Sequence, residues 1–185
     1  KKLLAQTGVS QLLVSGTGYD INDTFEEAGP MGGIFSALQH FKSKNQEQCS
    51  PCTSLLILPV DLPLLSVQTL TFLKTAGELS GKATYYANHS LPLYLPINAY
   101  SELFFSQAFK TFSQKKTAKG PSIKALLNSM PSQAVSLHSS AELELLNTNT
   151  PQQWHDAKQQ LKKKAIQNKS HNRNSVNSSS RIPHG

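Results

Sequence analysis

Apolar and polar positions along this chain follow two alternating patterns: short continuous apolar runs, and longer stretches with an apolar residue every three or four positions. Short apolar runs bounded by turn residues predict strands over residues 10–14, 54–58, 82–87, 92–96 and 134–137. The helical spacing predicts helices over residues 1–7, 34–41, 67–79, 101–112 and 122–127, with another from 150 onward. This alternation predicts an α/β fold with a mostly parallel sheet and helices on both faces.

Three segments carry finer expectations. The strand at 92–96 has a proline at each end, which favours an edge of the sheet, or a place near a site, over the sheet centre. Residues 142–146 fit either a turn of helix or a final edge strand. Thr150 and Pro151 are expected to open the last helix as its N-cap and its first helical residue.

The composition is that of an ordinary globular domain. The chain has 185 residues, 38% of them hydrophobic, which is enough to bury a core without disulfides or metals. No apolar run reaches the roughly 18 residues of a membrane span, and the first residues lack the pattern of a signal peptide. We therefore expect a cytoplasmic protein with no membrane contact.

The formal net charge of +7 is concentrated at the C-terminal end. All acidic residues precede Ala157 and are balanced there by lysines, so the Lys and Arg residues after Asp156 supply the whole excess. Residues 169–185 have almost nothing to bury and are expected to form a disordered basic tail after an α/β domain at 1–168. The tail could contact RNA or an acidic partner, but we favour a solvated extension with no specific nucleic-acid partner.

Asp61 is the first candidate for chemistry, because it follows the apolar strand at 54–58 within Pro-Val-Asp-Leu-Pro. Ligands of open α/β sheets bind at the carboxyl ends of such strands. A carboxylate there suits Mg²⁺, which commonly bridges one or two carboxylates to substrate phosphates. An aspartate before an apolar segment is also a common helix N-cap. The pattern leaves both roles open, metal ligand and cap.

A glycine-rich turn, Gly29-Pro30-Met31-Gly32-Gly33, precedes the first long helix. Backbone N–H groups at such a helix start can approach an anion closely. The turn lacks the Gly-Lys-Ser/Thr of a P-loop and does not fit the Gly-x-Gly-x-x-Gly dinucleotide fingerprint. A tight turn with close helix packing is the alternative interpretation.

Two further patterns place polar side chains in loops. Asn147 and Asn149, within Asn-Thr-Asn-Thr-Pro, fit ordinary loop residues before a capped helix, but their carboxamides could also bind a metal-bound phosphate or a polar heterocycle. Cys49 and Cys52 form a Cys-x-x-Cys pair, and no histidine stands at ligand spacing from it. We interpret the two cysteines as loop residues.

These patterns together carry a family resemblance. Gly-Pro-Met-Gly-Gly-Ile with Ser-Ala-Leu, then Pro-Val-Asp-Leu-Pro-Leu-Leu, then Leu-Asn-Thr-Asn-Thr-Pro, resemble in order and spacing the motifs of the molybdenum cofactor guanylyltransferase family. The resemblance runs from about Gly8 to Lys158. It implies a Rossmann-like fold of the nucleotide-diphospho-sugar-transferase type. It also implies transfer of GMP from GTP to molybdopterin with release of pyrophosphate.

The resemblance implies a role for each matching residue. Asp61 matches the family's Mg²⁺-binding aspartate, and Asp23 matches an aspartate associated with nucleotide binding. The turn beside the nucleotide is matched by Gly29, Pro30, Gly32 and Gly33. The motif beside the pterin and the metal is matched by Asn147 and Asn149. The implied cofactor is Mg²⁺, and the implied substrates are GTP and molybdopterin. Molybdoenzymes or their chaperones are the further partners implied.

Some of the family's pattern has no match in this chain. Its leading Leu-Ala-Gly-Gly loop, Arg-Met-Gly and phosphate-binding lysine are absent, and the chain begins within a predicted helix. We therefore expect a chain that starts at Lys1 to lack the first β-turn-α unit and half of the GTP site. Ser15 stands where the family has an asparagine. A related cytidylyl- or sugar-nucleotidyltransferase, and a non-catalytic relative that binds pterin or a partner protein, are the alternative interpretations.

Overall fold

The computed structural model describes residues 1–44, 52–114, 120–137, 139–146, 148, 150–160 and 162–163. The chain divides into two compact units. The first comprises Lys1–Pro59 and Ser66–Ala141, and the second comprises Val60–Leu65 and the chain from Glu142 onward. The domain boundary predicted after residue 168 and the predicted tail at 169–185 lie outside the described residues.

Within the described part of the first unit, four strands form one sheet. They are β1 (Ser54–Ile57), β2 (Ala83–Tyr86), β3 (Leu93–Pro96) and β4 (Ser132–Val135), in the order β1-β3-β2-β4. β3 pairs antiparallel with both β1 and β2, while β4 pairs parallel with β2. β1, β2 and β4 therefore run in one direction and β3 in the other. The α/β class is confirmed, but the sheet is mixed rather than mostly parallel in its pairing.

The short connection between β2 and β3 explains the reversed strand. A crossover to a parallel strand needs a dozen or more residues, and only residues 87–92 separate these two strands. β3 therefore returns beside β2 and pairs on its other side with β1, so its predicted edge position is wrong. The two prolines fit at the sheet centre because Pro92 precedes the strand and Pro96 ends it, which leaves the ladder between them intact.

The described helices are α1 (Lys2–Ala5), α2 (Pro30–Lys44), α3 (Val67–Ser80), α4 (Ala99–Gln114), α5 (Ile123–Asn128) and α6 (151–160). Short 3₁₀ helices occupy Glu26–Ala28 and Ser139–Leu145, so residues 142–145 are helical and not a strand. None of the helices in the described ranges has the length and apolar character needed to cross a membrane.

The strand predicted at 10–14 is wrong. Residues 10–14 contain no strand, and an isolated bridge joins the following residue, Ser15, to Ile21. The N–H of Val14 donates to the Asp20 carboxylate at 2.9 Å instead of to a neighbouring strand. The polar loop after Val14 therefore folds back on the apolar run. Its residues hydrogen-bond to the backbone of Val14, which a neighbouring strand would otherwise do.

Helices cover both faces of the sheet, as predicted. Successive side chains of a strand point to opposite faces. Leu93 and Leu95 of β3 join a core cluster with residues of α2, α4 and α5, whereas Tyr94 packs against Gly77 of α3. The cluster includes Met31, Ile34, Leu38, Phe105, Phe109 and Leu126. This core fixes α2, and therefore the glycine-rich turn at its start, against the sheet.

Candidate functional site

Asp61 lies in a turn after β1 and does not cap the following helix. α3 begins at Val67, and its N-cap is Ser66, whose Oγ accepts a hydrogen bond of 3.2 Å from the N–H of Thr69. Ser66 has the extended backbone that is typical of an N-cap. Of the two roles that the sequence leaves open for Asp61, the structure therefore excludes the helix cap.

Replacement of Ser66 by alanine is expected to lower the free energy of unfolding by about 1 kcal/mol, because it removes the N-cap of α3. Urea denaturation followed by circular dichroism measures the change. The matched variant is Asp61→Ala, which is expected to cost less than about 0.5 kcal/mol because it removes no cap. A loss as large in Asp61→Ala as in Ser66→Ala would return Asp61 to the role of cap.

The second unit holds Asp61 by its backbone. The Asp61 carbonyl oxygen accepts a hydrogen bond of 3.1 Å from the N–H of Thr148 and another of 3.3 Å from its Oγ1. The carboxylate oxygen Oδ1 of Asp61 is buried and has no hydrogen-bond partner among the described residues. A buried polar atom without a partner costs free energy, and a bound cation would remove that cost.

The surroundings of Asp61 fit a cation that brings most of its ligands with it. Within the described ranges, no group of three or more His, Cys, Asp or Glu residues could hold a metal ion. Mg²⁺ does not need such a group, because it usually takes one or two carboxylates and fills its other positions with water and substrate phosphates. Oδ1 of Asp61 offers one oxygen of this kind. The donor set therefore suits a metal that arrives with a phosphorylated substrate.

Asp23 lies in the first unit, where the Ser15 hydroxyl donates a hydrogen bond to its Oδ1. The neighbouring Thr24 is fixed to α2, since its N–H donates to the Ser36 Oγ at 2.8 Å. Ser15 occupies the position where the family has an asparagine. The structure thus pairs two positions that sequence reasoning treated separately. The signal that could have revealed the pair is the polar loop between them, which is short enough to fold back.

The glycines around the start of α2 permit close packing. Gly29 has a φ of +56°, and Pro30 follows it as the first residue of the helix. A Cβ on Gly32 would lie 2.5 Å from the carbonyl oxygen of Phe25, so only glycine fits there. A Cβ on Gly33 would lie 3.3 Å from the Ser15 Oγ and 3.6 Å from the Asp23 Oδ1. The packing interpretation is supported at Gly32, and Gly33 brings the helix backbone beside the hydrogen-bonded Ser15 and Asp23.

The loop before α6 is described only in part. Asn147 and Asn149 lie outside the described residues, so their place beside a pterin stays a prediction. Thr148, between them, is described and binds the Asp61 backbone. Sequence reasoning missed Thr148, although its place between the two asparagines was visible.

The predicted start of α6 is confirmed. The Thr150 Oγ1 accepts a hydrogen bond of 3.2 Å from the N–H of Gln153, and the Gln153 Oε1 accepts one of 3.0 Å from the N–H of Thr150. This reciprocal pair is a capping box, and Pro151 follows as the first helical residue. The cap fixes the C-terminal end of the loop that contains Thr148.

Cys52 lies half-buried before β1, and its burial raises the pKa of the thiol. Reactive and metal-binding cysteines have the opposite property, a lowered pKa. Cys49 lies outside the described residues. The interpretation of Cys52 as a loop residue therefore agrees with its surroundings.

Comparison with known proteins supplies one informative relative. No family model matches the chain, and no solved structure matches it. A curated protein of Xanthomonas euvesicatoria pv. vesicatoria (strain 85-10), named molybdenum cofactor guanylyltransferase, is 28% identical over 155 residues, which cover 82% of this chain and 74% of the relative. The resemblance to the molybdenum cofactor guanylyltransferase family is confirmed. The name of this relative describes a transferase of molybdenum cofactor biosynthesis.

The motifs of the guanylyltransferase resemblance are divided between the two units. Asp23 and the glycine-rich turn belong to the first unit, and Asp61 and Thr148 belong to the second. Among the described residues of each unit, the structure brings Asp23 close to Gly33 and Asp61 into contact with Thr148.

Proposed function

We propose that this protein transfers GMP from GTP to molybdopterin, with or without bound molybdenum, and forms the guanine dinucleotide form of the cofactor. The observation that carries the proposal is the buried Oδ1 of Asp61, which has no partner among the described residues. The similarity to a named guanylyltransferase supports the choice of GTP and molybdopterin as substrates. Molybdoenzymes or their chaperones would receive the product, and we propose the cytoplasm as the compartment.

The reaction requires positioning more than acid or base catalysis. An oxygen of the terminal phosphate of molybdopterin attacks the α-phosphorus of GTP and forms a new P–O bond. The bond from the α-phosphorus to the oxygen that bridges it to the β-phosphorus breaks, and pyrophosphate leaves with that electron pair. The attacking phosphate is already ionised, so alignment of the two substrates and neutralisation of their charge supply most of the catalysis.

Asp61 has the central role in this proposal. Its Oδ1 would hold Mg²⁺, which when bound supplies positive charge against the triphosphate. The carboxylate needs no proton transfer for this purpose, and the hydrogen bonds from Thr148 hold the backbone of Asp61 within the second unit.

The other candidate residues would bind the two substrates. We assign Asp23 to the nucleotide, with the Ser15 hydroxyl orienting its carboxylate. The turn at 29–33 would let the nucleotide approach the start of α2. We assign Asn147 and Asn149 to the pterin and its phosphate, which carboxamides can bind by both donating and accepting hydrogen bonds.

Release of pyrophosphate by the full chain tests the proposal. With Mg²⁺ present, we expect release from GTP only when molybdopterin is added, and mass spectrometry is expected to detect the guanine dinucleotide product. CTP serves as the matched control nucleotide and is expected to react more slowly. Faster reaction with CTP would make the protein a cytidylyltransferase. Binding of molybdopterin without release of pyrophosphate from any nucleotide would make it a non-catalytic relative.

A further inference from the structure

Thr148 makes two hydrogen bonds to one backbone acceptor far away in the sequence. Its N–H lies 3.1 Å and its Oγ1 3.3 Å from the carbonyl oxygen of Asp61, across a separation of 87 residues. Both residues are half-buried and belong to the second unit. A carbonyl oxygen has two lone pairs, so the backbone N–H and the side-chain hydroxyl of Thr148 together can satisfy it completely.

The hydrogen bonds from Thr148 reach the Asp61 backbone carbonyl and not its Oδ1. No donor among the described residues binds its Oδ1, so no hydrogen bond to that atom fixes the side chain. On the N-terminal side the neighbouring Val60 is 97% exposed, whereas Leu62 on the other side is buried. The peptide group that joins Asp61 to Leu62 is therefore the part of this turn that the protein holds in place, and Thr148 holds it.

We propose that Thr148 is a positioning residue, which sets the direction of the Asp61 carboxylate for metal binding through its bonds to the Asp61 carbonyl. The inference rests on the proposed function of Asp61. It also gives a role to Thr148 within the Asn-Thr-Asn-Thr-Pro motif. Thr148 lies in sequence between Asn147 and Asn149, the two predicted pterin ligands, and it binds the backbone of Asp61, the predicted metal ligand. A metal ligand must point in the productive direction, so a residue that fixes the Asp61 backbone affects how well its carboxylate binds the metal.

The Thr148→Val and Thr148→Ser pair tests the hydroxyl. Valine keeps the shape of threonine and the backbone N–H but removes the hydroxyl, whereas serine keeps the hydroxyl. The full chain is titrated with Mn²⁺ in the presence of GTP, and electron paramagnetic resonance measures the free Mn²⁺. We expect Thr148→Val to weaken Mn²⁺ binding about threefold to tenfold, the range for one lost hydrogen bond. Thr148→Ser is expected to stay within about twofold of the original affinity.

Asp61→Asn, titrated in the same way, separates this inference from the proposed function. If Asp61→Asn weakens Mn²⁺ binding but Thr148→Val does not, Asp61 keeps its metal role and the positioning role of Thr148 is wrong. If Asp61→Asn leaves Mn²⁺ binding unchanged, the metal role of Asp61 is wrong and the inference about Thr148 is overturned with it. Equal losses in the valine and serine variants would also overturn the role of the hydroxyl, because serine preserves it.

Discussion

In the full chain, Asp61→Asn is expected to lower the rate of GMP transfer by about 10²- to 10³-fold, the usual effect of removing one major source of charge stabilisation. Asparagine has nearly the shape of aspartate but no negative charge, so the turn is kept while the metal loses its protein carboxylate. The described residues contain no group of three or more His, Cys, Asp or Glu side chains that could hold the metal without Asp61.

The rate is measured as pyrophosphate release over a range of Mg²⁺ concentrations. We expect high Mg²⁺ to restore part of the activity, since weaker binding can be offset by mass action. Asp156→Asn is the matched control. Asp156 is exposed in the same unit and accepts a hydrogen bond from Gln152, so its substitution is expected to leave the rate unchanged. Full activity of Asp61→Asn at low Mg²⁺ would show that Asp61 is not the metal ligand.

The direction of the strands could have been predicted from the sequence more accurately than it was. The alternating pattern correctly predicts an α/β fold with helices on both faces. The predicted strands at 82–87 and 92–96 are separated by too few residues for a crossover helix, which already requires an antiparallel pair. The two prolines led instead to the prediction of an edge strand. Both lie at the ends of β3, where they do not interrupt the hydrogen bonds between strands.

The contact between Thr148 and Asp61 could not have been predicted, because it joins residues that are 87 positions apart in sequence. The turn that contains Asp61 was expected after the strand at 54–58, but only the observed N-cap at Ser66 excludes the role of helix cap for Asp61. The bonds from Thr148 to Asp61 depend on how two separate segments fold together. The hydrogen bond from Ser15 to Asp23 joins residues only eight positions apart, and the short polar loop between them was the signal that could have revealed it. Periodicity contains no information about such pairs.

Gly77→Ala is expected to destabilise the first unit by about 2 to 3 kcal/mol, which corresponds to a fall of roughly 5 to 10 °C in Tm for a chain of this size. A Cβ at this position would lie 2.1 Å from Cδ1 and 2.4 Å from Cγ of the Tyr94 ring. Cγ is attached directly to the Tyr94 Cβ, so the ring cannot move away without a shift of the central strand β3. Alanine favours a helix over glycine by about 1 kcal/mol, and the overlap must exceed that gain.

Thermal unfolding of four variants, Gly77→Ala, Gly81→Ala, Tyr94→Leu and the double variant of Gly77 and Tyr94, separates the overlap from other effects of the substitution. Gly81→Ala, at the end of the same helix, has a φ of +66° and no neighbour within 4 Å, so it reports backbone strain alone, about 1 kcal/mol. The double variant Gly77→Ala with Tyr94→Leu removes the ring that the new methyl group meets. Its loss is therefore expected to be smaller than the sum of the two single losses. If the losses of stability are additive, Gly77 and Tyr94 do not form the close contact through which α3 packs on β3.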